Sequence, residues 1–429
     1  MKVSVRPSVI YGKVRAPPSK SYSHRAIIAA SMTDGRCVVE NVSESDDVRA
    51  TINVCEKLGA SIVKEESTLF VNGFSTPKAP DDVLNAQNSG TTLRIMTGVS
   101  CLVQDGYVVL TGDESLRRRP MQPLLDALNM LGGECWSTRL NGCAPIVVKG
   151  GGLKGGEAWM DGSLSSQFVS SILFSSTKAL RDTVLRIRGS LVSRPFVDAT
   201  ISVLERFGVR VENEGYAVFR IPSQQNFKPT RFTVPGDFGL ASFMMAAALM
   251  TDGSVTVEGL SQDLPQADSA IIDILTSMGA KVKLDYVSGR VTVDGGGRLR
   301  GGSFNLSDSP DLLPVLAALA TKCDGPVEIT GVGHARVKES DRVGALACAL
   351  SKIGMNVRER PDGLIITQGK LAGSAVLDPK GDHRLFMAYC LLGLVLKDGC
   401  VVLGAESASV SYPNFLKDLG GLGAKFELG

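Results

Sequence analysis

Metal ligands and net charge are both scarce in this sequence. The three histidines, His24, His334 and His383, stand far apart, so no dedicated metal site is expected. The nine cysteines are odd in number and never occur as C-x-x-C. Neither a disulfide framework nor a zinc ribbon is indicated, and a reducing compartment fits. Basic and acidic residues number 46 and 44, a net charge of +2. That balance, with 6% aromatics not interleaved with the basic motifs, argues against a nucleic-acid partner. The longest apolar run, Leu385–Leu396, is bounded by Asp382, Arg384 and Lys397. It falls short of the roughly 20 residues that span a bilayer and reads as a buried core helix. Met1–Arg6 carries no apolar signal core. A cytoplasmic location without a membrane partner is therefore expected.

With 429 residues, 44% of them hydrophobic, the chain is globular and long enough for two domains of about 200 residues. One pattern recurs along it: an apolar helical stretch, an apolar residue and Gly, then a short strand. The glycines are Gly59, Gly132, Gly208, Gly279, Gly354 and Gly423. Each occupies the place where a helix end takes a left-handed residue. Leu-Gly after a helix is common punctuation, but the near-constant spacing of about 70 residues marks a repeat. A second helix precedes each of these, with its start marked by Ser21, Ser89, Ser165, Asp237, Ser309 or Asp382. The unit thus holds two helices and a few strands, an α/β composition, with three units per domain. The polar stretch 224–230 and the Ala16-Pro17-Pro18 crossing divide the chain into residues 1–15 with 228–429 and residues 16–227. Val3-Ser4-Val5 is grouped with the last three units.

The marked helix starts are rich in groups that bind anions, as helix N-termini themselves do. Lys20 and Ser21 open a helix, with Arg25 one turn below Ser21; a capped helix with solvated charges is the competing reading. Asn88-Ser89-Gly90-Thr91-Thr92-Leu93-Arg94 combines a close backbone approach with hydrogen-bond donors, unless it is only a turn and cap. Ser163-Leu164-Ser165-Ser166-Gln167 suits a phosphate bound without a fixed counter-charge, though serine caps are common. Arg117-Arg118-Arg119-Pro120 reads as a solvated basic loop or as a mobile loop closing on an anion, with Arg119 the best candidate. Asp311, after Ser309-Pro310, is either a residue matched to the helix dipole or a general base. In His334 to Arg342 the charges alternate. On a helix Lys338 and Arg342 share a face; on a strand Arg336, Lys338 and Ser340 do. A surface ladder of ion pairs is the alternative. In Asp382-His383-Arg384, Arg384 suits a carboxylate clamp.

As a set, and in this order over nearly the whole chain, these motifs resemble the 5-enolpyruvylshikimate-3-phosphate synthases, members of the enolpyruvyl transferase family. The resemblance implies a two-domain inverse α/β prism. Each domain would hold three βαβαββ repeats, with the active site in the interdomain cleft. It implies transfer of the carboxyvinyl group of phosphoenolpyruvate to the 5-hydroxyl of shikimate 3-phosphate, by addition and elimination of phosphate. It also implies that shikimate 3-phosphate meets Lys20, Ser21, Arg25, Ser165, Ser166, Gln167, Ser193, Asp311, His334 and Lys338. Phosphoenolpyruvate would meet Lys20, Asn88, Gly90, Thr91, Arg119, Gln167, Arg342 and Arg384, and glyphosate would share that subsite. Asp311 is assigned as proton acceptor, with Glu339 and Lys20 as candidates for the other proton transfers. No metal or organic cofactor is required, the partners are the two small-molecule substrates, and a monomer is expected. The sequence departs from common members of the family at Gln87 (often Gly), Phe196 (Tyr in some), His334 (often Asn) and Val410 (Lys in some).

Two alternatives are weighed. A sister enzyme moves the same group onto UDP-N-acetylglucosamine, usually with a cysteine in its mobile loop and Lys-Asn near its N-terminus. Here residues 111–120 hold no cysteine and Lys20 is followed by Ser21. A non-catalytic phosphate-binding scaffold is the other.

Overall fold

The computed structural model describes residues 1–74, 76–285 and 287–429. It contains α1 (Lys20–Ser31), α2 (Asp46–Lys57), α3 (Gly90–Ser100), α4 (Gln122–Met130), α5 (Ser166–Ser176), α6 (Pro195–Arg206), α7 (Phe238–Met250), α8 (Ile271–Ser277), α9 (Leu313–Leu319), α10 (Arg342–Lys352), α11 (His383–Val395) and α12 (Phe415–Gly421). All six repeat glycines directly follow the cap residue of an even-numbered helix, with φ between +79° and +114°. Only glycine takes that backbone without strain, which is why the sequence repeats it.

The chain divides into two compact units, residues 1–17 with 236–429 and residues 18–235. Among the described residues, six four-stranded sheets share one topology, in which an edge strand runs parallel to its neighbour and the other two strands are antiparallel. In one, Leu84–Asn85 runs parallel to Tyr107–Thr111, which is antiparallel to Ile146–Lys149, itself paired with Glu134–Ser137. The chain order is thus strand, helix, strand, helix and hairpin. Three sheets borrow strands from far along the chain. Arg231–Thr233 lies parallel to Arg36–Glu40 in the 18–235 unit. In the other unit Val3 faces Val402 and Leu428, and Tyr11–Arg15 runs parallel to Ser254–Glu258.

Helix composition decides position. The first helix of each repeat is enclosed: every residue of α7 and α9 is buried, as are His383–Leu394 of α11. In the other unit α1, α3 and α5 are buried over most of their length. The second helices, such as α2 and α6, bury one face only. The residues that open α1, α3, α5 and α11, and the short turn leading into α9, are those singled out above.

Local expectations are refined at two starts. Ser19 rather than Ser21 stands at the N-cap position of α1, without a side-chain capping bond. Ser309 heads a short 3-10 turn, Pro310–Leu312, without a side-chain capping bond. Ser89, Ser165, Asp237 and Asp382 do cap, accepting backbone N–H groups of Thr92, Gln167, Leu240 and Arg384. Among the described residues no helix is long and apolar enough to cross a membrane.

Candidate functional site

In the unit of residues 1–17 and 236–429, the charged groups gather on Asp311. Its Oδ1 lies 2.8 Å from Arg342 Nη1 and 3.1 Å from Lys338 Nζ, and its Oδ2 lies 3.0 Å from Arg384 Nη2. Arg342 is 1% exposed. It also meets Asp382 Oδ2 through Nε at 2.8 Å and Glu339 Oε2 through Nη2 at 2.8 Å. Asp382 is fully buried; its Oδ1 accepts the backbone N–H of Arg384 at 2.9 Å, and its Oδ2 accepts the Ser340 hydroxyl at 3.1 Å.

The electrostatics follow from this crowding. Burial pushes the Asp311 carboxyl up, but Arg384, Lys338 and Arg342 together outweigh it and hold it well below the usual carboxylate range. Burial lowers Arg342, and Asp382, Glu339 and Asp311 more than reverse that. His334 is half-buried in the 3-10 turn Gly333–Val337. Burial and then Lys338 push its pKa down to about 4, so its imidazole is neutral at pH 7.

The His334–Arg342 stretch is neither the helix nor the strand that sequence allowed. Lys338 lies between the 3-10 turn and α10, and Arg342 opens α10; the bend brings both cations to one carboxylate. Part of the stretch is the surface ladder: Arg336 binds Asp341 at 2.7 Å and Glu359 at 2.8 Å. Arg384 reaches one oxygen of Asp311, with its Nη1 3.5 Å from the Asp311 backbone oxygen.

In the 18–235 unit a second polar group surrounds the starts of α3 and α5. Gln167 Nε2 donates to Thr91 Oγ1 at 2.9 Å, and Arg94 Nη1 donates to Gln167 Oε1 at 2.9 Å and to Ser165 Oγ at 3.1 Å. Arg119 Nη2 donates to Asn88 Oδ1 at 3.1 Å and to Ser115 Oγ at 3.3 Å, while Asn88 Nδ2 donates to Asp113 at 2.6 Å. Gly90 fits between them: a Cβ there would stand 3.2 Å from Arg119 Nη1 and 3.5 Å from Gln167 Oε1. The triple-arginine segment is not one solvated loop. Leu116–Arg118 forms a 3-10 turn, Arg118 pairs with Glu114 at the surface, and Arg119 is buried.

At the start of α1, Lys20 Nζ lies 2.6 Å from Asp47 Oδ2, in the first turn of α2. Arg25 is turned inward. It is 1% exposed and donates to Thr200 Oγ1 at 2.8 Å, to the Ser21 backbone oxygen at 2.9 Å and to that of Phe196 at 3.0 Å. It thus ties α1 to α6, and burial brings its pKa down to about 10. Ser166 is buried in the first turn of α5. Ser193 and Gln87 both hold left-handed backbones, with φ of +55° and +52°. That conformation is strained for a residue with a side chain. Glycine would take that backbone without strain.

Reasoning from the sequence missed three carboxylates. Asp47 holds Lys20, Asp382 holds Arg342, and Asp268 lies buried near Asp311 and Arg384. Asp382 carried a signal as a helix cap. Asp47 and Asp268 carried none, because their partners are distant in sequence.

The profile of the family described as EPSP synthase (3-phosphoshikimate 1-carboxyvinyltransferase) matches residues 5–419. The chain is 46% identical over 417 residues to the 3-phosphoshikimate 1-carboxyvinyltransferase of Korarchaeum cryptofilum, covering 97% of each chain. It is 45% identical over 432 residues to that of Methanosarcina acetivorans, covering 100% of this chain and 99% of that one. Among solved structures, EPSP synthase from Acinetobacter baumannii superposes with a TM-score of 0.84 at 27% identity, covering 100% of both chains. The enolpyruvyl transferase NikO from Streptomyces tendae shares the fold, with a TM-score of 0.76 at 17% identity over 99% of this chain and 98% of that one. The mixed α/β architecture is accordingly the two-domain enolpyruvyl transferase fold, and this chain belongs to the EPSP synthase (3-phosphoshikimate 1-carboxyvinyltransferase) family.

Proposed function

We propose that the two groups of residues serve one pair of substrates, with Asp311 as the proton acceptor. The enzyme transfers the enolpyruvyl group of phosphoenolpyruvate to the 5-hydroxyl of shikimate 3-phosphate and releases phosphate, a step of the shikimate pathway. Shikimate 3-phosphate is assigned to Lys20, Ser21, Arg25, Ser165, Ser166, Gln167, Ser193, Asp311, His334 and Lys338. Phosphoenolpyruvate is assigned to Lys20, Asn88, Gly90, Thr91, Arg119, Gln167, Arg342 and Arg384. Both ligands are polyanions, and cations with helix starts supply what they need. Arg25 has its donors on protein atoms, so its contribution is to fix the start of α1 as much as to touch a ligand.

The observation that carries this reading is Asp311 itself: a mostly buried carboxylate surrounded by Lys338, Arg342 and Arg384. Core packing has no use for such a cluster, and strongly perturbed carboxylates in this setting mark reaction centres. At rest the three cations make Asp311 a weak base. The same cations are assigned to the substrates, and any that turn to an incoming anion leave Asp311 more basic. It then accepts the proton of the 5-hydroxyl as that oxygen bonds to the central carbon of phosphoenolpyruvate, while the methylene carbon takes up a proton. Loss of a proton from that carbon, with departure of phosphate, restores the double bond. Glu339 and Lys20 are assigned to these further transfers, and Arg119, Arg342 and Arg384 balance the charge of the carboxylate and leaving phosphate. We place the enzyme in the cytoplasm as a monomer acting without metal or cofactor; its nine free cysteines support a reducing compartment.

The test is phosphate release from phosphoenolpyruvate with shikimate 3-phosphate, with UDP-N-acetylglucosamine, and with neither. Release is expected with shikimate 3-phosphate alone. Release driven by the nucleotide sugar would overturn the assignment of the acceptor.

A further inference from the structure

Asp268 has no part in the scheme above, yet it lies beside it. It sits in the 3-10 turn Ala267–Ala270 that leads into α8, and it is 6% exposed. Its Oδ1 is enclosed and has no hydrogen-bond partner among the described residues. Buried polar atoms are nearly always paired, so this one requires an explanation. The position is built rather than incidental. Gln266, two residues earlier, accepts the Phe238 N–H at 3.2 Å and donates to the Gly236 backbone oxygen at 2.8 Å, fixing the turn against the start of α7. The carboxyl then packs on the first turn of α7, where a Cβ on Gly239 would stand 2.2 Å from Oδ2. Only glycine at 239 leaves room for it.

The charged groups around Asp268 are Asp311, Arg384, Asp237 and Lys338. Burial first, and then Asp311, push its pKa up to about 7, with Arg384 and Lys338 opposing and Asp237 adding to the rise. Its charge at neutral pH therefore responds to small changes in its surroundings. Among these neighbours, Arg384 is the one assigned to phosphoenolpyruvate. At rest its Nη2 is 3.0 Å from Asp311 Oδ2; a bound anion shares that cation and adds negative charge beside the buried acid.

We propose that Asp268 is a proton-holding positioning residue: it takes one proton from solvent when the phosphoenolpyruvate anion engages Arg384, and returns it when product leaves. The inference rests on the assignment of Arg384 to phosphoenolpyruvate. Neutralising Asp268 removes an unpaired negative charge from behind the anion and so favours its binding.

Two measurements test this. Titration of the wild-type chain with phosphoenolpyruvate at pH 8, in Tris and in Hepes, is expected to give heats that differ as the uptake of close to one proton requires; equal heats overturn the proposal. Between pH 7.5 and 9 the substrate phosphate no longer titrates. There the KM for phosphoenolpyruvate of the wild type is expected to rise by up to about tenfold per pH unit. In Asp268→Asn, which mimics the protonated acid, it should stay flat with kcat retained. Coincident pH profiles overturn the role of Asp268. Arg384→Ala separates the two levels: if it leaves the KM unchanged, the site assignment itself fails.

Discussion

Asp382 holds Arg342 from behind, with Oδ2 2.8 Å from Arg342 Nε, while its Oδ1 accepts the backbone N–H of Arg384 at 2.9 Å. One buried carboxylate thus fixes both a cation and the helix start that carries a second cation, and both cations reach Asp311. Removing one member of such a buried network leaves an uncompensated charge, so the parts act as a unit.

Arg384→Ala is expected to raise the KM for phosphoenolpyruvate by about 10- to 100-fold, the scale of one charge-assisted hydrogen bond. Its effect on the KM for shikimate 3-phosphate should be much smaller. Steady-state kinetics with each substrate varied in turn check this, and an unchanged KM removes Arg384 from the subsite.

His334→Asn is expected to leave the shape of the kcat/KM pH profile unaltered between pH 5.5 and 8. The folded pKa of His334 lies near 4 because burial and Lys338 oppose its charged form. An imidazole with a pKa near 6.5 would instead contribute an acid limb in that range, and loss of such a limb in the variant would contradict the assignment.

Asp268→Asn is expected to stabilise the fold above neutral pH. The folded pKa of about 7 exceeds the unfolded value of about 3.9. The native protein therefore holds this proton where the unfolded chain has released it, and the contribution of Asp268 to stability declines as pH rises from about 4 to 7. The difference amounts to a few kcal/mol at most. Denaturant unfolding of wild type and variant at pH 5 and pH 8 checks the sign; the gain should be larger at pH 8.

Gly354→Ala is expected to cost more than about 2 kcal/mol. The backbone there has φ of +92°, and the new Cβ would stand 2.0 Å from the Lys370 backbone oxygen. Urea unfolding measures the loss; a neutral substitution would show that this helix end can rearrange.

What the sequence discloses is local. The six glycines after helix ends, the caps Ser89, Ser165, Asp237 and Asp382, and the apolar run that forms most of α11 are each decided by backbone geometry or burial within one turn of chain. What it conceals is distant pairing. Gln167 meets Thr91 across 76 residues, Arg342 meets Asp382 across 40, and Lys20 meets Asp47 across 27; no periodicity encodes such distances. The parallel pairing of Arg231–Thr233 with Arg36–Glu40 is hidden for the same reason. The likeness of Arg117, Arg118 and Arg119 in sequence likewise conceals three environments, which only the fold distinguishes.

Most directly, the account is tested by Asp311→Ala, assayed for phosphate release from phosphoenolpyruvate and, separately, for shikimate 3-phosphate binding by calorimetry. It predicts that binding persists while turnover falls by about 10²- to 10⁴-fold, the usual contribution of a positioned base. Turnover within a few-fold of wild type would contradict it.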